Sequence, residues 1–240
     1  VITSQLGNVT VSGPNAWHLL EKAGFDALLA PSAMKHMTLR ESAVQGFAVR
    51  VLRASFNGEL GYEINLPAAR TEALLQQLWD AGQELGVCVY GIEALMIMRT
   101  EKGFIHVGAD TDGTTLPADV GLARGVDKKA ANFVGRRSLT RPAGRDPDRL
   151  QLVGLLPVDR QTRLSVGAHL SLRKPPTVAE GLVTSSCFSP VLQQPVALAM
   201  VKRGRQRIGE RLQAWYLGKM TEVEVVATPF FDPSGERLHG

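Results

Sequence analysis

The stretch SFNGELGYEINLP, Ser55 to Pro67, decides how the chain is read. From Gly61 to Leu66 it alternates: Tyr62, Ile64 and Leu66 share one face and Glu63 and Asn65 the other, which is the period of a half-buried strand. The run before it, Gly46 to Phe56, is rich in β-forming residues. The two runs read as a hairpin-like unit bent at Asn57-Gly58, an Asn-Gly turn signal. Two acids, Glu59 and Glu63, sit among the glycines of this unit.

Working outward, GNVTVSGPNAWHLLEKAG reads as strand, turn and helix, with Pro14 in the first helical turn and Gly24 as the stop. Thr71 to Gly86 is an amphipathic helix with Leu74, Leu75, Leu78, Trp79 and Leu85 in one stripe. Gly91 to Gly103 is apolar almost all round and is expected to be a buried helix. This order of elements indicates an α+β layer. Past residue 140 the character changes. RPAGRDPDR, Arg141 to Arg149, is linker-like. Short β-type runs follow: LQLVGLLP, AHLSL, EGLVTSS, VALAMV, RLQAWYL and EVEVVATPF. Turn residues separate them, which reads as a small all-β barrel or sandwich. The expected domains are residues 1–140 and 150–240.

Composition excludes little and suggests a soluble globular chain. It has 240 residues, 44% hydrophobic and 21% charged. No window reaches the roughly 18 consecutive apolar residues of a membrane span, and no secretory leader is visible. Cys88 and Cys187 form no CxxC pair and read as buried, reduced thiols of a cytoplasmic protein. Net charge is +4, a mild preference for anions. Lys202–Leu212 and Gly135–Arg149 each carry five basic residues. Neither has aromatic platforms or a recognition helix, so nucleic acid is not an expected partner.

Dinucleotide, P-loop and α/β-hydrolase signatures are absent, and the five histidines form no metal pair. DTDG at Asp110 to Gly113 opens like a calcium loop. The loop's last position would fall on Gly121, where a bidentate Glu is required, so an exposed Asp-Gly turn is expected. Arg99, near the end of the apolar helix, has two readings: a structural ion pair with Glu101 or Glu93, or a cleft residue meeting an anionic ligand. Glu59 also has two. It is a solvated turn acid, or its forked acceptors meet a ring edge with adjacent N–H donors, such as that of a pterin or guanine. Gly58 and Gly61 would let backbone approach that ring. Glu63 points to solvent or a basic neighbour.

Four ordered motifs then carry a resemblance. SFNGELGYEINLP resembles the G-[YF]-x-G-E-x-G-[YF]-E signature of the glycine-cleavage T-protein (aminomethyltransferase) family. YGIEALMIMRTEKGF resembles the helix that follows it there. His106 to Leu139 is similar to the family's connecting segment, and GLVTSSCFSPVLQQPVALAMV to the G-x-[IV]-T-S-x-x-x-S-P signature of its C-terminal barrel. The wording of EKGFIHVGADTDGTTLPADVGL is similar to the C-terminal part of the sarcosine oxidase alpha subunit, which carries an aminomethyltransferase-like half.

The resemblance implies a partial folate-binding α/β layer followed by a small β-barrel. It implies a role in passing one-carbon units, from oxidative demethylation of sarcosine or a similar N-methylamine, to tetrahydrofolate. It puts Glu59 on the pteridine edge and Arg99, Gly58 and Phe56 at the folate pocket. Phe56 replaces a frequent Tyr. Lys128 and Lys129 match a basic stretch that meets the folate tail. The family's catalytic Asp lies upstream of the first strand here, so no catalytic residue is assigned and enzymatic activity of this chain alone is left open. Flavin and NAD are expected on upstream regions or partner subunits. Expected partners are flavoprotein subunits of a sarcosine oxidase or a second copy. The alternative is a non-catalytic folate-binding or subunit-docking module.

Overall fold

A computed structural model describes residues 2–174, 176 and 178–240. The chain forms two compact units. One runs to Met96 and takes back Ser234–Gly240; the other is Ile97–Pro233. Compactness thus divides the chain inside a helix, whereas composition pointed to Arg141–Arg149.

The first unit contains β1 (Leu6–Ser12), α1 (Ala16–Lys22), β2 (Thr38–Val44), β3 (Phe47–Arg53), β4 (Gly61–Pro67), α2 (Thr71–Gly82) and the first turns of α3 (Ile92–Glu101). Its sheet has the order β1-β4-β3-β2, with every neighbouring pair antiparallel. The alternation read in β4 is realised: Tyr62, Ile64 and Leu66 are fully buried in the core with Leu20, Leu29, Val51 and Leu74. The Tyr62 hydroxyl donates to the Leu29 carbonyl at 3.0 Å, and burial pushes its pKa up to about 12.

The tight hairpin lies elsewhere than the Asn-Gly signal suggested. It joins β2 to β3 through Gln45 and Gly46, both at positive φ (48° and 79°), the backbone that a two-residue type I′ turn requires. Val44 faces Phe47 across it. The connection containing Asn57-Gly58 is wider. Only Gly58 there takes the left-handed conformation, at φ 86°.

Two helical expectations are corrected. In α2, Leu74 and Leu78 are buried, but Leu75 and Trp79 from the same apolar stripe are exposed. In α3, the apolar start is exposed, with Ile92 at 72%, and the buried residues are the polar Arg99, Thr100 and Glu101. An all-round apolar pattern fixes how much apolar surface a helix carries, not which turn is covered.

The second unit is built on a closed barrel of six strands: β5 (Leu150–Pro157), β6 (His169–Ser171), β7 (Gly181–Ser189), β8 (Gln194–Lys202), β9 (Arg211–Tyr216) and β10 (Lys219–Val226). Their order is β10-β5-β8-β7-β6-β9. All six apolar runs read from sequence become strands, and Val153, Leu155, Leu170, Val183, Leu212 and Val223 meet in the interior. The fold is α+β, as expected, with the barrel C-terminal.

Arginines of the two basic segments hold this unit together. Arg149 grips Asp119, with Nε–Oδ1 at 2.9 Å, and Arg207 bridges Glu180 and Glu210. Arg203 and Arg211 meet Asp148 and Glu222. Arg205 donates to the carbonyls of Ala118 and Asp119.

Candidate functional site

In the first unit the signature turn is braced by its own side chains. Asn57 is buried, and its Oδ1 accepts from the Glu59 amide at 3.0 Å and the Ser55 hydroxyl at 2.9 Å. Ser55 Oγ in turn accepts from the Gly58 amide at 3.0 Å. This is an Asx-type turn, in which a side chain imitates a backbone turn. Gly61 is required by packing: a Cβ there would lie 2.5 Å from the Ala54 carbonyl oxygen. The glycine therefore admits the protein's own backbone.

This bracing fixes Glu59. Its side chain is only 16% exposed, and Oε1 receives Arg237 Nη1 at 3.0 Å. Arg237 comes from α5 (Glu236–His239), in the segment that returns to this unit. Phe56 is half-buried in the same turn, and Glu63 is half-buried on β4. Arg53, buried at the end of β3, anchors the returning segment: its guanidinium donates to the carbonyls of Pro31, Met34 and His239.

Asn57 also faces the other way. Its Nδ2 donates to Ser12 Oγ at 2.7 Å and lies 3.3 Å from the Tyr90 hydroxyl, and the two hydroxyls are 2.8 Å apart. Ser12 and Tyr90 line a cavity of about 590 Å³ beside β1, α2 and residues 85–92. Neither Glu59, Gly58, Phe56 nor Arg99 lines it.

Arg99 lies in the second unit and does not meet Glu101 or Glu93. Nη1 pairs with Asp110 Oδ2 at 2.5 Å, and Nη2 donates to Ser185 Oγ at 2.6 Å. Asp110 is therefore buried, not exposed; the exposed turn residue of DTDG is Asp112, whose Oδ1 accepts from Thr114 and Thr115. Asp110 Oδ1 accepts from both Thr184 and Ser185, and Oδ2 from the His106 amide at 2.8 Å. Neighbouring strand residues normally point to opposite faces. A bulge in β7 between Val183 and Ser185 brings both hydroxyls to one carboxylate oxygen. Two further polar contacts pin the end of α3 and the segment after it: Glu101 accepts from Ser189 Oγ at 2.5 Å, and Lys102 pairs with Asp232 at 2.6 Å.

Sequence reasoning missed Asp110, Thr184, Ser185, Asn57 and Arg237. A signal existed for two of them: Thr184-Ser185 interrupts the apolar rhythm of a barrel strand. Lys128 and Lys129, just past α4 (Ala123–Asp127), are exposed, with Lys129 over the Phe133 ring. Cys88 and Cys187 are both free thiols, but only Cys187 is buried. Among the described residues no cluster of three His, Cys, Asp or Glu is placed to hold a metal ion. No described helix is long and apolar enough to cross a membrane.

Comparison with known proteins places this architecture. The alpha subunit of sarcosine oxidase from Corynebacterium sp. (strain U-96) is 38% identical over 245 residues, matching 100% of this chain and 25% of that subunit. The chain thus spans about a quarter of the length of such relatives. Aminomethyltransferase from Burkholderia multivorans is 34% identical, over 92% of this chain and 58% of the enzyme. The crystal structure of glycine cleavage system aminomethyltransferase T from Bartonella henselae superposes with a TM-score of 0.77 at 29% identity, over 93% of this chain and 59% of that one. Residues 1–130 match the GCVT N-terminal domain, and residues 151–232 match the glycine cleavage T-protein C-terminal barrel domain. The chain belongs to the glycine cleavage T-protein family.

Proposed function

We propose that this chain is a tetrahydrofolate-binding portion of a sarcosine-oxidase-alpha-type aminomethyltransferase. In this reading, one-carbon units released by oxidative demethylation of an N-methylamine pass to tetrahydrofolate, giving 5,10-methylenetetrahydrofolate. The observation that carries the reading is the fixed carboxylate of Glu59. A half-buried acid on a braced turn, its Oε1 already engaged by Arg237, has little side-chain freedom to lose on binding. Its carboxylate suits the adjacent N–H donors of a pterin edge. Gly58 and Phe56 flank it as the remaining residues of the proposed pocket.

Arg99 enters this reading as a positioning residue, because its guanidinium is engaged by Asp110 and Ser185. The reading assigns no catalytic residue within these 240 residues, and its flavin and NAD are proposed on other regions or on partner subunits. Flavoprotein subunits are its proposed partners, and the cytoplasm its proposed compartment.

Calorimetric titration of tetrahydrofolate into the wild type and Glu59→Gln tests the reading. The charged, forked contact contributes about 1.5–3 kcal/mol, so Glu59→Gln is expected to weaken binding roughly tenfold or more. Equal affinities would remove Glu59 from the site.

A further inference from the structure

Glu59 carries the tetrahydrofolate reading, yet its carboxylate is closed to a ligand as the chain stands. Oε1 holds Arg237 Nη1 at 3.0 Å, and only 16% of the Glu59 side chain is exposed. Oε2 is shut off from solvent. A planar ring that needs both oxygens cannot reach them until something moves.

The surroundings say which part moves. The turn that carries Glu59 is held by Asn57 and Ser55, and Asn57 is itself buried. The segment that carries Arg237 is held through other residues. The buried Arg53 donates to the His239 carbonyl. The His239 amide donates to the Gly235 carbonyl at 3.2 Å, and the His36 and His239 rings meet edge-on at 5.8 Å. Arg237 is different. Its side chain is 47% exposed, so its charge can turn into water, and an ion pair with a half-exposed partner contributes little. The guanidinium can leave while α5 stays.

The guanidinium and the proposed ligand also share a shape. An arginine presents N–H donors in a rigid planar fork that matches a carboxylate. The amino-pyrimidinone edge of a pterin presents an amino N–H beside a ring N–H in one plane. Arg237 therefore brings to Glu59 the donor pattern of a pterin.

We infer that Arg237 is an internal latch on Glu59: its guanidinium occupies the place of the ligand's N–H edge, and a pterin-type ligand binds by displacing it. The inference rests on the Glu59 reading and deepens it. The latch keeps a mostly covered acid charged and paired until the ligand arrives, which spares the chain an uncompensated carboxylate. It also lowers the apparent affinity, because only the unlatched fraction of molecules binds.

The test is calorimetric titration of tetrahydrofolate into the full chain and three variants: Arg237→Met, Glu59→Gln and the two combined. Arg237→Met keeps most of the side chain's length and removes its donors. It is expected to bind roughly threefold to fivefold more tightly than the wild type, and the double variant is expected to bind like Glu59→Gln alone. Unchanged affinity in Arg237→Met would overturn the latch. Weaker binding would overturn it too, making Arg237 a ligand contact instead. An equal gain in the Glu59→Gln background would overturn it by placing the effect of Arg237 away from Glu59. In each of these cases Glu59→Gln still binds more weakly than the wild type where the Glu59 reading holds. Equal binding by those two proteins is the failure of that reading, and no saturable binding by any of the four overturns both. Should Arg237→Met fail to fold, the ¹⁵N-labelled wild type decides. Its Arg237 Nε–Hε signal is expected to move, on adding tetrahydrofolate, toward the position it takes in Glu59→Gln; a signal that stays in place overturns the latch.

Discussion

Arg99 and Asp110 form an ion pair at 2.5 Å with side chains 3% and 0% exposed. The remaining acceptor capacity of Asp110 is filled by Thr184, Ser185 and the His106 amide. Burying two charges is tolerable only with such extensive hydrogen bonding, which here leaves the buried Arg99 Nε without a partner.

Removing one partner leaves the other charged and dry. Arg99→Met and Asp110→Leu are each expected to lower stability by about 3–5 kcal/mol, and the double variant to recover part of that loss. Urea unfolding of the four proteins measures this. Additive losses would show that the pair is not coupled.

Gly61→Ala is expected to destabilise the chain by about 1–3 kcal/mol, because its Cβ would press on the Ala54 carbonyl and no flexible side chain is there to yield. Gly13→Ala is the instructive contrast: nothing lies within 4 Å of its Cβ, but its φ is +125°, so any loss there is backbone strain. Thermal melts compare the two. A Gly61→Ala protein as stable as the wild type would mean that the turn shifts freely.

Stability should fall in mild acid through His36. Burial first, then His239 and Arg53 facing it, lower its pKa below the ordinary 6.5. The folded protein therefore takes the proton less readily than the unfolded chain. The cost is absent above pH 6.5, grows as pH falls through 6.5 toward the folded value, and levels off below that. His36→Gln is expected to shrink the drop in urea midpoint between neutral and mildly acidic buffer; an unchanged drop would assign it to other groups.

The two thiols should differ sharply. Cys88 is exposed and is expected to react with a disulfide reagent in the native state. Cys187 is buried, and burial together with Glu101 raises its pKa to about 11. A thiolate is the reacting species, so Cys187 should wait for unfolding. Mass spectrometry after brief native labelling checks that a single thiol is modified.

The barrel was legible because each strand keeps an apolar rhythm between turn residues. β4 was legible for the same reason. The partners of Arg99 were not, since Ser185 is 86 residues away and only the closed barrel brings it near. The width of the α2 stripe misled for a related reason. Leu75 and Trp79 lie next to Leu74 and Leu78 on the helix, and an apolar cavity wall looks like core in a one-dimensional pattern. At the signature turn, the acid and glycines were visible, but the sequence carried no sign of Arg237, held against Glu59 by a segment that returns from far along the chain.

That return sets a timetable. Residues 234–240 belong to the first compact unit, yet a ribosome delivers them only after every strand of the barrel. Domains ordinarily fold from the N-terminus as they emerge. Here Arg53 and Glu59 must wait through the synthesis of an entire second unit before His239 and Arg237 reach them, so the nascent chain carries a buried-type guanidinium and a turn acid without their final partners.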